Sequence, residues 1–121
     1  MQSNIYAAIN TVVNTYVTGM LRGDADALRR AFHPKAQIIG RVDGQEWWGD
    51  LAAFIAECES GPLPVDAAIP AYTIESIQLA GDTAVVRCVN LYQGRKYRDT
   101  LNLLRGPGGW SIVAKLFQTL E

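Results

Sequence analysis

The sequence predicts an α+β fold, with helices first and an antiparallel meander after them. Three observations carry this. Apolar residues in the opening segment recur at three- and four-residue steps, the period of a helix with one buried face. After Pro70 the period changes to two, and the breaks at Gly81-Asp82, Gln93-Gly94 and Gly106 to Gly109 are hairpin punctuation. Strands and helices do not alternate one by one, as they would in a parallel sheet with crossover helices.

The opening helix is expected from near Ile5, capped by Ser3 or Asn4. Ile5, Ile9, Val12, Tyr16 and Met20 form one stripe, and Tyr6, Val13 and Val17 form a second beside it. Gly23 closes this helix, and Asp24 caps a second one running to about Phe32, ended by Pro34. Lys35 to Val42 reads as a strand, turned at Asp43-Gly44 into Gln45 to Trp48. Gly49-Asp50 stops that strand and caps a third helix, Leu51 to about Cys58. From Glu59 to Pro70, three prolines and Gly61 point to a long loop, of the kind that often serves as a lid or rim.

Four strands follow: Tyr72 to Leu79, Thr83 to Tyr92, Arg95 to Leu104 and Trp110 to Gln118. The apolar phase slips between Ile74 and Ile77, which points to a bulge or a strong local twist. In the last hairpin, Tyr97, Asp99, Leu101 and Leu103 share one face, and Trp110, Ile112, Ala114 and Leu116 share one face of the returning strand. A long sheet that must bury one face curls around the helices, giving a cone stoppered by the first helix.

Composition limits the function classes. At 121 residues the chain is read as one domain, 1–121, with 49% hydrophobic and 19% charged residues and a formal net charge of −1. Its basic residues form no run or stripe, so nucleic acid is not an expected partner. No apolar run is long enough to span a bilayer, and the N-terminus lacks the basic start of a signal peptide, so the expectation is a cytoplasmic protein away from membranes. Cys58 and Cys88 are read as small buried hydrophobes. With His33 as the lone imidazole, neither a metal nor a cofactor is expected.

Asp99 is the best functional lead, because a carboxylate in line with an aromatic and two leucines must be paired, protonated or used. Two readings stand side by side: a pocket acid, or a structural carboxylate paired with Arg87 or Lys115. His33 is either a proton-transfer group or a helix-terminal cap. Tyr16 is either a pocket donor or a core tyrosine with its hydroxyl satisfied. Trp47 and Trp48 point to opposite sides of a strand, one toward the core or pocket and one outward. Phe54, Tyr72 and Tyr97 are core or ligand-stacking groups. Arg87, between Val85 and Val89, either anchors an anionic group or lies on the outer face.

Across the whole chain this order resembles the NTF2-like (cystatin-like α+β) superfamily, nearest to its SnoaL-like and lumazine-binding branch. The likeness is carried by Gly23 to Pro34 (GDADALRRAFHP), the Asp43-Gly44 hairpin before the Trp pair, GDTAVVR from Gly81, YRDTLNLL from Tyr97 and GGWSIVAKLF to Phe117. The resemblance implies a conical pocket that hosts either ligand binding or cofactor-free chemistry. Ketosteroid isomerases of this fold use a helix tyrosine and a protonated strand aspartate as oxyanion donors, with a second aspartate as base. Tyr16 and Asp99 resemble the two donors in position, but Ile38 to Arg41 holds no acid where the base would stand. The cyclase branch pairs an acid with a histidine, for which this chain offers Asp99 and His33.

The resulting expectation is a binding protein for a small apolar or aromatic compound. Tyr16, Trp47, Phe54, Tyr72 and Tyr97 would be its walls, with Arg87 and Asp99 as polar anchors. The alternative is a cofactor-free lyase, isomerase or cyclase working through Asp99, His33 and Tyr16. A homodimer is expected as well, because the meander is apolar on both alternations and needs a second cover.

Overall fold

Two aspartates start the shorter helices. Asp24 accepts from the backbone N–H of Ala27 at 3.1 Å, and Asp50 accepts from that of Ala53 at 2.9 Å. In the computed structural model, which describes the backbone from Gln2 to Leu120 and side chains from Asn4 onward, these caps begin α2 (Ala25–Ala31) and α3 (Leu51–Glu59). The opening helix α1 spans Gln2–Arg22, so the start expected near Ile5 is too late. Asn4 lies inside the helix, and the side chain of Ser3 lies outside the described residues.

The six strands are β1 (Phe32–Val42), β2 (Gln45–Asp50), β3 (Thr73–Ala80), β4 (Thr83–Tyr92), β5 (Arg95–Gly106) and β6 (Gly109–Thr119). They form one curved sheet in the order β2-β1-β6-β5-β4-β3, antiparallel except where β1 runs parallel to β6. The early hairpin turns through Asp43 and Gly44, both at positive φ (51° and 84°), which is the backbone such a two-residue turn requires.

Phe32 begins β1 instead of ending the second helix, and Pro34 is inside the strand. Pairing explains the tolerance: β1 contacts β6 at Phe32 and again only from Gln37, where its pairing with β2 also begins. Pro34 therefore removes no ladder hydrogen bond. The expected slip in the first meander strand is real, a register shift between Ile74 and Ser76.

The larger correction is in β6. Asn102 pairs with Ala114 but Leu103 pairs with Ile112, so Val113 has no partner and forms a bulge. Beyond a one-residue bulge, side-chain alternation is reversed. Trp110 and Ile112 are buried as expected, but the next inward residues are Lys115 and Phe117 rather than Ala114 and Leu116. Leu116 is turned to the outer face and is 49% exposed.

The inner face of the sheet, including Ala84, Val86, Cys88, Leu101, Leu103 and Ile112, packs with Ile9, Val13, Tyr16 and Val17 of α1 and with Phe54 and Ile55 of α3. The segment after α3 is irregular as expected, but it is no free lid. The Arg22 guanidinium donates to the carbonyls of Pro64 and Ala67, and the Leu63 N–H donates to Leu21 O at 2.8 Å. Among the described residues, no helix is long and apolar enough to cross a membrane.

Candidate functional site

Three inward positions on three adjacent strands place polar groups at one end of the cone. Asp99 on β5 has Phe117 directly opposite it on β6, and Lys115 faces Leu101. Lys115 is thus the diagonal neighbour of Asp99 on the same face. On β4, Asn90 faces Tyr97, one inward step from Asp99. Asn90, Asp99 and Lys115 are 2%, 1% and 4% exposed, yet all three border a cavity of about 260 Å³.

Met20 and Phe54 complete the floor of the cavity, and Trp47, Tyr97 and Phe117 its walls. Val42, Glu57 and Tyr92, none of them fully buried, stand at its rim. The aromatic wall is continuous, with Phe117 5.9 Å from Tyr97 and 6.1 Å from Trp47, and Tyr97 6.3 Å from Tyr92. Two glycines make room for it. A Cβ on Gly40 would lie 2.5 Å from the Phe117 ring, and one on Gly49 would lie 2.5 Å from the Trp47 ring.

The Tyr16 hydroxyl donates to Asp99 Oδ2 at 2.5 Å, and Asn90 Nδ2 donates to the same oxygen at 2.8 Å. Asp99 Oδ1 is buried with no hydrogen-bond partner. A buried carboxylate oxygen left unpaired is costly and calls for a reason. Asp99 is a lining residue of the hollow, so the unpaired oxygen belongs to the cavity wall and not to the packed core. Burial first, and then the neighbouring Asp99 charge, hold the Tyr16 hydroxyl well above its usual pKa, so it stays a donor.

Lys115 Nζ lies 4.1 Å from the centre of the Phe54 ring, 4.9 Å from Tyr16 and 5.0 Å from Phe117, with Met20 Sδ at 3.8 Å. The ion pairs among the described residues all join surface arginines to carboxylates and leave Lys115 out. Loss of water lowers its pKa, against the upward pull of Asp99 and of the Cys58 and Cys88 sulfurs. Burial also pushes those thiols up, Cys58 to about 11 and Cys88 to about 12, and both cysteines are free.

Of the residues singled out in the sequence, Trp47, Phe54, Tyr97 and Asp99 border the cavity. Tyr16 stands behind Asp99, touching the carboxylate but not lining the hollow. Three do not come to it. Arg87 is exposed on the outer face, because β4 turns Val86, Cys88 and Asn90 inward. Tyr72 lies at the far end of the loop and accepts from Asn14 at 3.1 Å. His33 is outside the cavity lining and accepts from the Lys35 N–H at 3.0 Å, a local turn contact. Trp48 points outward, 68% exposed, opposite in sense to Trp47. Lys115 as a cavity group, Asn90 and Phe117 were missed. Asn90 carried a signal, being a polar residue in phase with Val86 and Cys88.

An α+β cone whose helices plug one end of a curved sheet, leaving a polar-floored hollow at the other, is an NTF2-like protein. Residues 4–118 match the family described as Putative lumazine-binding, and the chain belongs to that family. It is similar to the solved structure of an NTF-2-like protein of unknown function from Silicibacter pomeroyi DSS-3, at 35% identity over 99% of both chains and a TM-score of 0.93. A similar NTF2-like protein of unknown function from Shewanella baltica OS155 is 26% identical over 100% of this chain and 98% of that one, with a TM-score of 0.86. A curated relative, the aldolase FrzH of a Cladobotryum species, is 28% identical over 97% of this chain and 93% of its own length. A ketosteroid isomerase-like protein from Erwinia carotovora atroseptica, 18% identical over 95% of each chain with a TM-score of 0.69, shares the fold.

Proposed function

We propose that the cavity binds a small, mostly apolar or aromatic compound carrying one polar oxygen or nitrogen. The observation that supports this best is Asp99, a lining residue of an aromatic-walled hollow whose Oδ1 has no hydrogen-bond partner among the described residues. At about 260 Å³ the space is near the lower edge of ordinary ligand sites, and so suits a one- or two-ring compound. Thermal-shift and Trp-fluorescence titration with a panel of flat carbonyl and heterocyclic compounds tests this. Binding that weakens at least tenfold in Asp99→Asn supports the reading, and a panel without a single shift in the wild type overturns it.

A second reading is cofactor-free lyase chemistry of the aldol kind. It is favoured by the aldolase relative and by an acid and an amine bordering one small space. Positioned proton transfer contributes about 10²–10⁴-fold, so Asp99→Asn would remove at least that lower factor from an aldol cleavage or condensation assayed with simple aldehydes and ketones.

We also propose a homodimer built on the outer face, where Val85 and Val89 are half-buried and Leu91 and Leu116 exposed. Light scattering at micromolar concentration that gives a monomer overturns this. Two buried free thiols suit a reducing compartment, so a cytoplasmic location is the matching proposal.

A further inference from the structure

We propose that Lys115 is a nucleophilic amine that condenses reversibly with an aldehyde or ketone held in the cavity, forming an imine. The inference rests on the reading that this hollow takes a small carbonyl compound, and it deepens that reading by naming the bond.

A lysine buried for structural reasons has its ammonium hydrogens satisfied, normally by a carboxylate within ion-pair distance or by carbonyl oxygens. The Lys115 Nζ has neither among the described residues. Its neighbours are a thioether sulfur and three ring faces, none a strong acceptor. The rings attract an ammonium, but only weakly compared with the cost of stripping its water. Lys115 lines the cavity, so the hollow is the direction from which its amine can take a partner. The backbone secures this placement: without the unpaired Val113, Lys115 would point to the outer face.

The neighbouring groups fit the reaction. The neutral amine adds its lone pair to the carbonyl carbon, and the C=O π pair moves to oxygen. The nitrogen gives one proton to Asp99, which passes it to that oxygen and so makes the neutral carbinolamine. As the nitrogen lone pair forms C=N and the C–O bond breaks, the second N–H proton follows the same route to the departing hydroxyl, which leaves as water. Amine and carbonyl thus give imine and water, with no oxidant or reductant. Tyr16 and Asn90 hold Asp99 through Oδ2, leaving Oδ1 as the shuttle atom, so Tyr16 acts as a positioning residue. In the protonated imine the adjacent C–H is acidified, which is the activation an aldol reaction requires.

The test is reductive trapping of the wild-type protein at neutral pH, with benzaldehyde as probe and cyanoborohydride as reductant, followed by peptide mapping. The other lysines, Lys35 and Lys96, are exposed and serve as internal controls. The expected result is a benzyl group on Lys115, acquired at least roughly tenfold faster than on the controls, because the cavity holds the aldehyde beside that amine. Lys115→Met, unbranched and close in size, should lose the fast label while keeping part of the thermal shift given by benzaldehyde. If Lys35 and Lys96 label first while benzaldehyde still shifts the melting temperature, the imine is wrong and the binding site stands. If there is neither label nor shift, both fall.

Discussion

The two ends of the sheet's inner face are equally buried but differ in what they bury. At one end, Ala84, Leu103 and Ile112 are 0–2% exposed and belong to the continuous apolar core. At the other, Asn90, Asp99 and Lys115 are just as inaccessible, yet they face a hollow instead of packed side chains. The boundary between them on β6 is the unpaired Val113. Burial alone therefore separates the closed end from the open one poorly. The distinguishing mark is a buried polar atom without a partner, which a solid core does not tolerate but a binding site can use.

Four experiments break or sharpen this contrast. The largest effect is expected at the closed end, where Leu103→Ala should cost about 2–5 kcal/mol in urea unfolding. Phe117→Ala at the half-buried open end should cost less than about 2 kcal/mol, because its ring already borders empty space. Equal losses would erase the distinction. Tyr16→Phe comes next, at about 1–3 kcal/mol, because it removes the nearest donor to a buried carboxylate oxygen and leaves Asn90 and the weak, distant Cys88 thiol.

The third experiment follows stability against pH in the wild type and in Lys115→Met. Burial holds the folded lysine below its ordinary value of 10.5, so between the folded value and 10.5 the unfolded chain binds the additional proton. Wild-type stability should therefore rise with pH relative to the variant, by less than about 1.4 kcal/mol per pH unit, and level off near 10.5. The penalty is fully present below the folded value. Tyr16, Tyr97, Cys58 and Cys88 are shifted upward, so they cost stability above their ordinary values of 10.0 and 9.0. For the tyrosines that loss is common to both proteins; the thiols lose the downward pull of Lys115 in the variant, so above 9.0 their larger cost there adds to the difference in the same direction. A flat difference would mean that the folded lysine titrates like a free one.

The smallest effect is expected from Gly40→Ala. Its methyl group must displace the Phe117 ring, which can move into the hollow at a cost of about 1 kcal/mol. Ligand affinity should fall by about tenfold while the fold persists. An unchanged affinity would mean that Phe117 is not a wall of the binding site.

Much of the architecture could be read from period and punctuation. The Asp24 and Asp50 caps, the Asp43-Gly44 turn and the meander breaks are local signals with local causes, and each is present. The placement of Trp47, Tyr97 and Asp99 follows from strand alternation, and that of Phe54 from the helical period of α3. Lys115 shows where that logic stops. Putting Ala114 and Leu116 on the buried face turned Lys115 outward, although it was also a candidate partner for the inward Asp99, and the two expectations conflict. A bulge within Ile112-Val113-Ala114 leaves no trace in the pattern, because all three residues are apolar and either phase looks acceptable. Arg87 failed for the opposite reason: its apolar neighbours Val85 and Val89 share its outward face, so they said nothing about the pocket.

Among the described residues, the strand carrying Lys115 is the last of nine elements, yet it lies between β1 and β5. Without it, the early hairpin and β3 to β5 are two ribbons with no strand pairing between them. The segment that welds the halves together is also the one that delivers the amine, so closure of the sheet and birth of the reactive centre are a single event. Such a late, long-range pairing is slow to find. Half-assembled chains awaiting it would display exposed strand edges but no competent amine, and so could not engage a carbonyl compound prematurely.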